Sequence, residues 1–399
     1  MNDAIQIQGS AGSIGLHAAN GLALNAMITA PGAGGTVALE SDAGDITQTG
    51  SISAAAVSAV ATQGSVQLTG PANAIGTIAG TANGSQGFAL TDGTGITVGS
   101  APAVGSITAV TGITAAAAVA LNAAGAVSQG NGGMISAGSL SVTAGGATGI
   151  GSAAAPLLTN IGTLTSATSQ GPVYLSNGTD MTIDAIQAMG VVNVNTRGSI
   201  SLPAAQACDC GAGISGSTVT LTAGGAMDLA AGSTVSATNA IALYAGYDAA
   251  AGTYALPGAI LTASGTLSAS SIALSAGGAI AATGTMTGAV TQTPFLANPP
   301  RSPPPPPPPT PPPPYIPTPT APASNAPVVQ AINEVISTVA TPTVLNSASF
   351  IGAAAPGSQG GGNDADPSST KTTANSSTTI SNTSSNTAAS NNAKKLYCN

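Results

Sequence analysis

The chain has 399 residues, a formal net charge of −8, 5% charged and 2% aromatic side chains, 53 glycines and no tryptophan. An ordinary soluble domain is roughly a quarter charged, and five lysines and arginines in all cannot neutralise a phosphate backbone, which excludes nucleic-acid binding. One histidine and two glutamates (Glu40, Glu334) leave most acid–base and metal chemistry without parts, and the dearth of large apolar anchors speaks for a thin core of small residues rather than a two-layer domain.

Met1-Asn2-Asp3-Ala4-Ile5 has neither the basic region nor the apolar stretch of a secretory signal. The repeat pattern has begun by Ile5-Gln6-Ile7, so the chain reads as a piece of a longer exported protein or as one whose start codon is misassigned. No integral membrane segment is expected, because nothing approaches the roughly 20 apolar residues of a membrane helix; the Ala-rich run from Ile113 to Leu121 is too short.

From about residue 5 to 290 one phrase recurs: a short alternating strand, a Gly turn, a second short strand. Val37-Ala-Leu39 leads to Ala43-Gly44-Asp45-Ile46, and Val119-Ala-Leu121 to Ala124-Gly125-Ala126-Val127. Leu140-Ser-Val142, Val219-Thr-Leu221 and Ile272-Ala-Leu274 are each followed by a Gly-Gly turn. Val66-Gln-Leu68, Val173-Tyr-Leu175, Val192-Asn-Val194, Ile200-Ser-Leu202 and Ile241-Ala-Leu243 are strands of the same kind without the full turn. Alternation puts Val, Ile and Leu on one face and Ser, Thr, Asn or Gln on the other. Runs of three to five residues cannot bury that apolar face alone. Winding the chain so that each strand pairs with its equivalent one coil later solves the problem, at roughly 20 to 30 residues per coil. The expected fold is all-β, a right-handed parallel β-helix over 1–293.

The composition then changes. Residues 294–326, with Pro303 to Pro309 and Pro311 to Pro314, read as an extended polyproline II linker. Pro327-Val328-Val329 onward, over 327–341, has apolar positions at helical spacing and reads as one short amphipathic helix. Residues 342–399 are rich in Ser, Thr and Asn and read as a disordered tail, closing on Lys394-Lys395-Leu396-Tyr397-Cys398-Asn399.

Chemistry-bearing residues are sparse, and no cofactor, metal or catalytic set is assigned. Glu40, Asp42 and Asp45 lie close in sequence, and Asp180 with Asp184 precedes Arg197; the latter trio is the one arrangement a carbohydrate-active β-helix enzyme could use, since such sites need paired carboxylates on one face. Isolated turn acids are the simpler reading. His17 reads as a lone coil-surface residue. Cys208 and Cys210 form a C-x-C pair with too few neighbouring ligands for zinc, and penultimate Cys398 is a candidate tether or intermolecular disulfide. Gly360 to Asp366 resembles a single, unrepeated calcium-roll phrase and belongs with the tail. Asn83-Gly-Ser, Asn177-Gly-Thr and Asn375-Ser-Ser are glycosylation sequons. Thr218, Thr220 and Thr222 form an isolated row, short of the ladder an ice- or mineral-binding face needs.

The Gly-x-Val/Ile-x-Leu strands with Ala-Gly-Gly-Ala turns resemble the β-helical shaft of filamentous haemagglutinin-like exoproteins of bacterial two-partner secretion. The likeness covers about residues 5 to 290, and autotransporter passengers use similar coils. It implies secretion or display at the outer surface, an outer-membrane transporter as partner, and attachment to a glycan or protein on a host or neighbouring cell. The family's amino-terminal secretion domain has no counterpart here; the one Asn-Pro, Asn298-Pro299, lies outside the shaft.

Overall fold

Alternation decides which way each side chain faces, and register decides what it meets. In the strand Val173–Asn177, Val173 and Leu175 are buried while Tyr174 and Ser176 face out. The strand one coil later, Val192–Thr196, pairs with it in parallel, Val173 on Val192 and Leu175 on Val194. Repetition of this step builds columns. Ile150, Val173, Val192, Val219, Ile241 and Ile272 stack as one, Leu175, Val194, Leu221, Leu243 and Leu274 as a second, and Met181, Ile200, Met227 and Leu261 as a third.

The computed structural model describes residues 5–6, 12–70, 72–204 and 213–294, which wind as a parallel β-solenoid of about 12 turns. At about 4.8 Å per turn the shaft rises about 58 Å. No helix occurs among the described residues, and none is therefore long and apolar enough to cross a membrane. The Pro-rich stretch, the amphipathic segment and the Ser/Thr-rich tail lie outside the described residues, as do Cys208, Cys210 and Cys398.

Each later coil has three strands. One runs Val192–Thr196, Ile200–Leu202, then the first part of Gly213–Ala223, which passes through a register shift at Gly216/Thr218 into the next coil. The interior is too narrow for aromatics, with one exception. Phe88 is fully buried between Val66 and Val119, and it fits because Gly80 lies against its ring, where any Cβ would collide with it. Corners are tight as well. Gly149 has φ +80°, and a Cβ there would overlap the Pro172 carbonyl oxygen one coil on, so only glycine serves.

Among the described residues two antiparallel hairpins interrupt the winding, and the periodicity shows neither. The first joins Ser100–Ala101 to Val110–Thr111. Its tip, Val104 and Ile107, packs on Ala38 on the outside of the shaft. Ala38 belongs to an outward column of small residues, Gly15, Ala38, Ser58 and Ala79, on which the hairpin finds room to lie. The second joins Tyr247–Asp248 to Thr253–Tyr254.

Candidate functional site

Polar side chains divide into those the fold consumes and those it leaves available. The acids of the turns belong mostly to the first group. Asp45 accepts the Ser65 N–H of the next coil at 2.7 Å, and Asp180 accepts the Ser199 N–H at 2.7 Å. Asp92 accepts from the Ile75 and Thr94 amides at 2.8 and 2.7 Å. Each clips a turn to its neighbour, which is why short acids recur beside glycines. Asp180 and Asp184 flank the strand Met181–Ile183 at opposite ends, about 13 Å apart along extended backbone. Arg197 is exposed, its amide donating to the Asn177 carbonyl at 3.0 Å.

Several asparagines and glutamines are also structural, which sequence reasoning did not anticipate. Gln48 and Asn73 are buried and hydrogen-bond each other, with Asn73 Nδ2 donating at 3.0 Å to Gln48 Oε1. Asn177, 1% exposed, accepts from the Ile161 N–H at 2.9 Å and donates through Nδ2 to the Ile161 and Thr179 carbonyls at 3.1 and 2.9 Å. Its sequon is thus closed to glycosylation in the folded chain, because the nitrogen that would carry the sugar is buried and bonded. Asn83 is exposed, with Nδ2 donating to the Thr62 carbonyl at 2.9 Å; Asn375 is outside the described residues.

His17 is not solitary. Register places it on Glu40 one coil later, and its Nε2 lies 3.0 Å from Asp42 Oδ1. The hydrogen bond to Asp42 and that carboxylate's charge, with a smaller contribution from Glu40, raise the imidazole pKa above 6.5. Donor atoms of His17, Glu40 and Asp42 fall within 4.8 Å of one another, a set of one nitrogen and two carboxylates that suits a divalent ion. Both His17 and Asp42 are about half exposed. The signal was visible only as a pairing of positions one coil apart.

A groove of about 260 Å³ lies on the outward face of the strands Val173–Asn177 and Val192–Thr196. Tyr174 is in register with Asn193, and Ser176 with Asn195 and then Thr222. One wall is the turn Ser152 to Pro156, closed by the Ala155 N–H on Ser152 Oγ at 3.0 Å; the other is Ala249 of the second hairpin. That hairpin is braced by tyrosines. Tyr247 lies 5.3 Å from Tyr244 and 5.2 Å, edge-on, from Tyr254, ring centre to ring centre, and the Tyr254 hydroxyl bonds that of Ser275. The Thr218, Thr220, Thr222 row adjoins this face but does not repeat: the next coil presents Ala240, Ala242 and Tyr244 at those positions.

No family model, no curated protein and no solved structure matches the chain. The class defined by the fold is a parallel β-solenoid, compatible with a β-helical shaft.

Proposed function

We propose that this chain is a non-catalytic, adhesin-like shaft, secreted or held at the cell surface, that attaches to glycans or proteins of a host or neighbouring cell. Export through an outer-membrane transporter of the two-partner kind belongs to the same proposal and rests on the resemblance of the coils. The observation that carries the reading is the outward ladder chemistry. Thr168, Gln187, Ser215, Ser236, Ser268 and Thr287 stand in one register column on successive rungs. Uncharged hydroxyls and amides repeated along a rigid rod offer many weak, exchangeable hydrogen bonds, and the net charge of −8 disfavours anionic partners. Turn acids spent on backbone amides support a structural role for them over a catalytic one.

Beads coated with the full chain are expected to be retained under flow on epithelial or bacterial cell layers more strongly than beads coated with an inert acidic protein. Equal retention would refute the adhesive reading. Release of reducing sugar from a polysaccharide panel that disappears in Asp180→Asn would establish the enzymatic alternative.

A further inference from the structure

We infer that the groove between the Ser152–Pro156 turn and the Tyr247–Tyr254 hairpin is a binding site for a neutral glycan, one or two sugar units at a time. The inference deepens the adhesive reading and rests on it for its biological role. It starts from scarcity. Of six tyrosines in the chain, Tyr174, Tyr244, Tyr247 and Tyr254 all lie on this one stretch of the outer surface, half-buried, although the core makes almost no use of aromatics. Tyr174 lines the groove itself. Tyr244 continues the outward column of Ser176, Asn195 and Thr222 one rung further, so the aromatic patch extends past the groove's end.

The lining suits a sugar. A pyranose has an apolar face of C–H groups, which stacks on an aromatic ring, and a rim of hydroxyls that both donate and accept. Tyr174 supplies the ring. Asn193 and Asn195 supply carboxamides, each a donor and an acceptor, on alternate positions of one strand about 6.6 Å apart. These carboxamides hydrogen-bond no other described residue, whereas those of Asn73 and Asn177 are fully engaged. They are held on a rigid strand, so little ordering entropy remains to be lost on binding. The volume of about 260 Å³ is slightly below the usual range of about 300–1,000 Å³ for small-molecule sites, which fits a short stretch of glycan.

Charge selects neutral sugars. No Lys, Arg or His lines the groove, so a sulfate, phosphate or uronate would find no counter-ion there. The acid nearest in sequence to the Ala249 wall, Asp248, already accepts the Ala250 and Ala251 amides at 2.9 and 3.2 Å.

The test uses the full chain and methyl glycosides and disaccharides of glucose, galactose, mannose and N-acetylglucosamine, with sulfated and uronate counterparts. Without tryptophan, ultraviolet emission comes from tyrosine and reports chiefly on this surface. At least one neutral sugar is expected to change it saturably. Tyr174→Ala and the pair Asn193→Ala with Asn195→Ala should each weaken that binding at least tenfold, Tyr174→Phe should restore most of it, and outward Thr262→Ala should leave it unchanged. Absence of saturable binding to every neutral sugar, unchanged affinity in the groove variants, or binding only of the anionic counterparts would overturn the inference. The bead assay separates the two readings. Undiminished bead retention with Tyr174→Ala would place adhesion elsewhere on the rod and overturn the groove's role. Sugar binding by beads that adhere to no cell would uphold the groove and overturn the adhesive function.

Discussion

Replacing Asn177 by alanine tests the claim that the interior corners are held by buried amides. In the folded chain the Asn177 side chain accepts the Ile161 N–H and the Thr159 hydroxyl, each at 2.9 Å, and donates to two carbonyls. Alanine strands the Ile161 N–H in a place water does not reach, at a cost of about 1–3 kcal/mol. The two carbonyls each lose one donor, and the Thr159 hydroxyl must turn elsewhere. A total of about 3 kcal/mol follows, concentrated at one corner because a solenoid's coils depend mainly on their neighbours. The assay is amide hydrogen exchange, with Asn195→Ala as the comparison. Asn195 lies one rung up and half-exposed without a bonded carboxamide, so its loss should stay within about 0.5 kcal/mol. Ile161 protection should fall about a hundredfold in Asn177→Ala, at 1.4 kcal/mol per decade, and barely change in Asn195→Ala. Equal protection in the two variants would show that the corner amide carries no stability and refute the account of the interior.

Phe88→Ala should cost about 3–5 kcal/mol, since the ring is fully buried and Gly80, which lies against it, has no side chain to fill the void; chemical denaturation of the full chain measures it. Ser58→Ala should stabilise the shaft by up to about 1 kcal/mol, because the buried Ser58 hydroxyl has no partner; a lower thermal midpoint would contradict this. The His17 imidazole should titrate above 6.5 by NMR and return toward 6.5 in Asp42→Asn. Its folded pKa is raised, so whatever the pair contributes is fully present below about pH 6.5 and fades as pH rises through the folded value. Val104→Ser with Ile107→Ser should free the first hairpin from Ala38 and speed proteolysis between residues 102 and 109, leaving the coil amides protected.

Much of the shaft was legible because its rule is local. Val37-Ala-Leu39, Val119-Ala-Leu121, Val192-Asn-Val194 and Ile272-Ala-Leu274 all lie in strands, with the second residue outward. The clipping acids were visible as turn residues, though not their partners, which are one coil away. The groove was not legible. Tyr174 and Ala249 are far apart in sequence, and the hairpin that joins them carries no periodicity of its own.

Sequence alone determined that the chain must wind. Strands too short to bury their apolar faces, punctuated by glycine and nearly free of charge and large rings, admit few other ordered solutions. Only the tertiary structure decided the register, and register decided chemistry. It put Glu40 beside His17, closed Asn177 inside the wall, left Asn193 and Asn195 open beside Tyr174, and laid the first hairpin over an outward column small enough to receive it. Period-two alternation fixes which side of the wall a residue faces; coil length, varied by insertions, fixes its neighbour above and below.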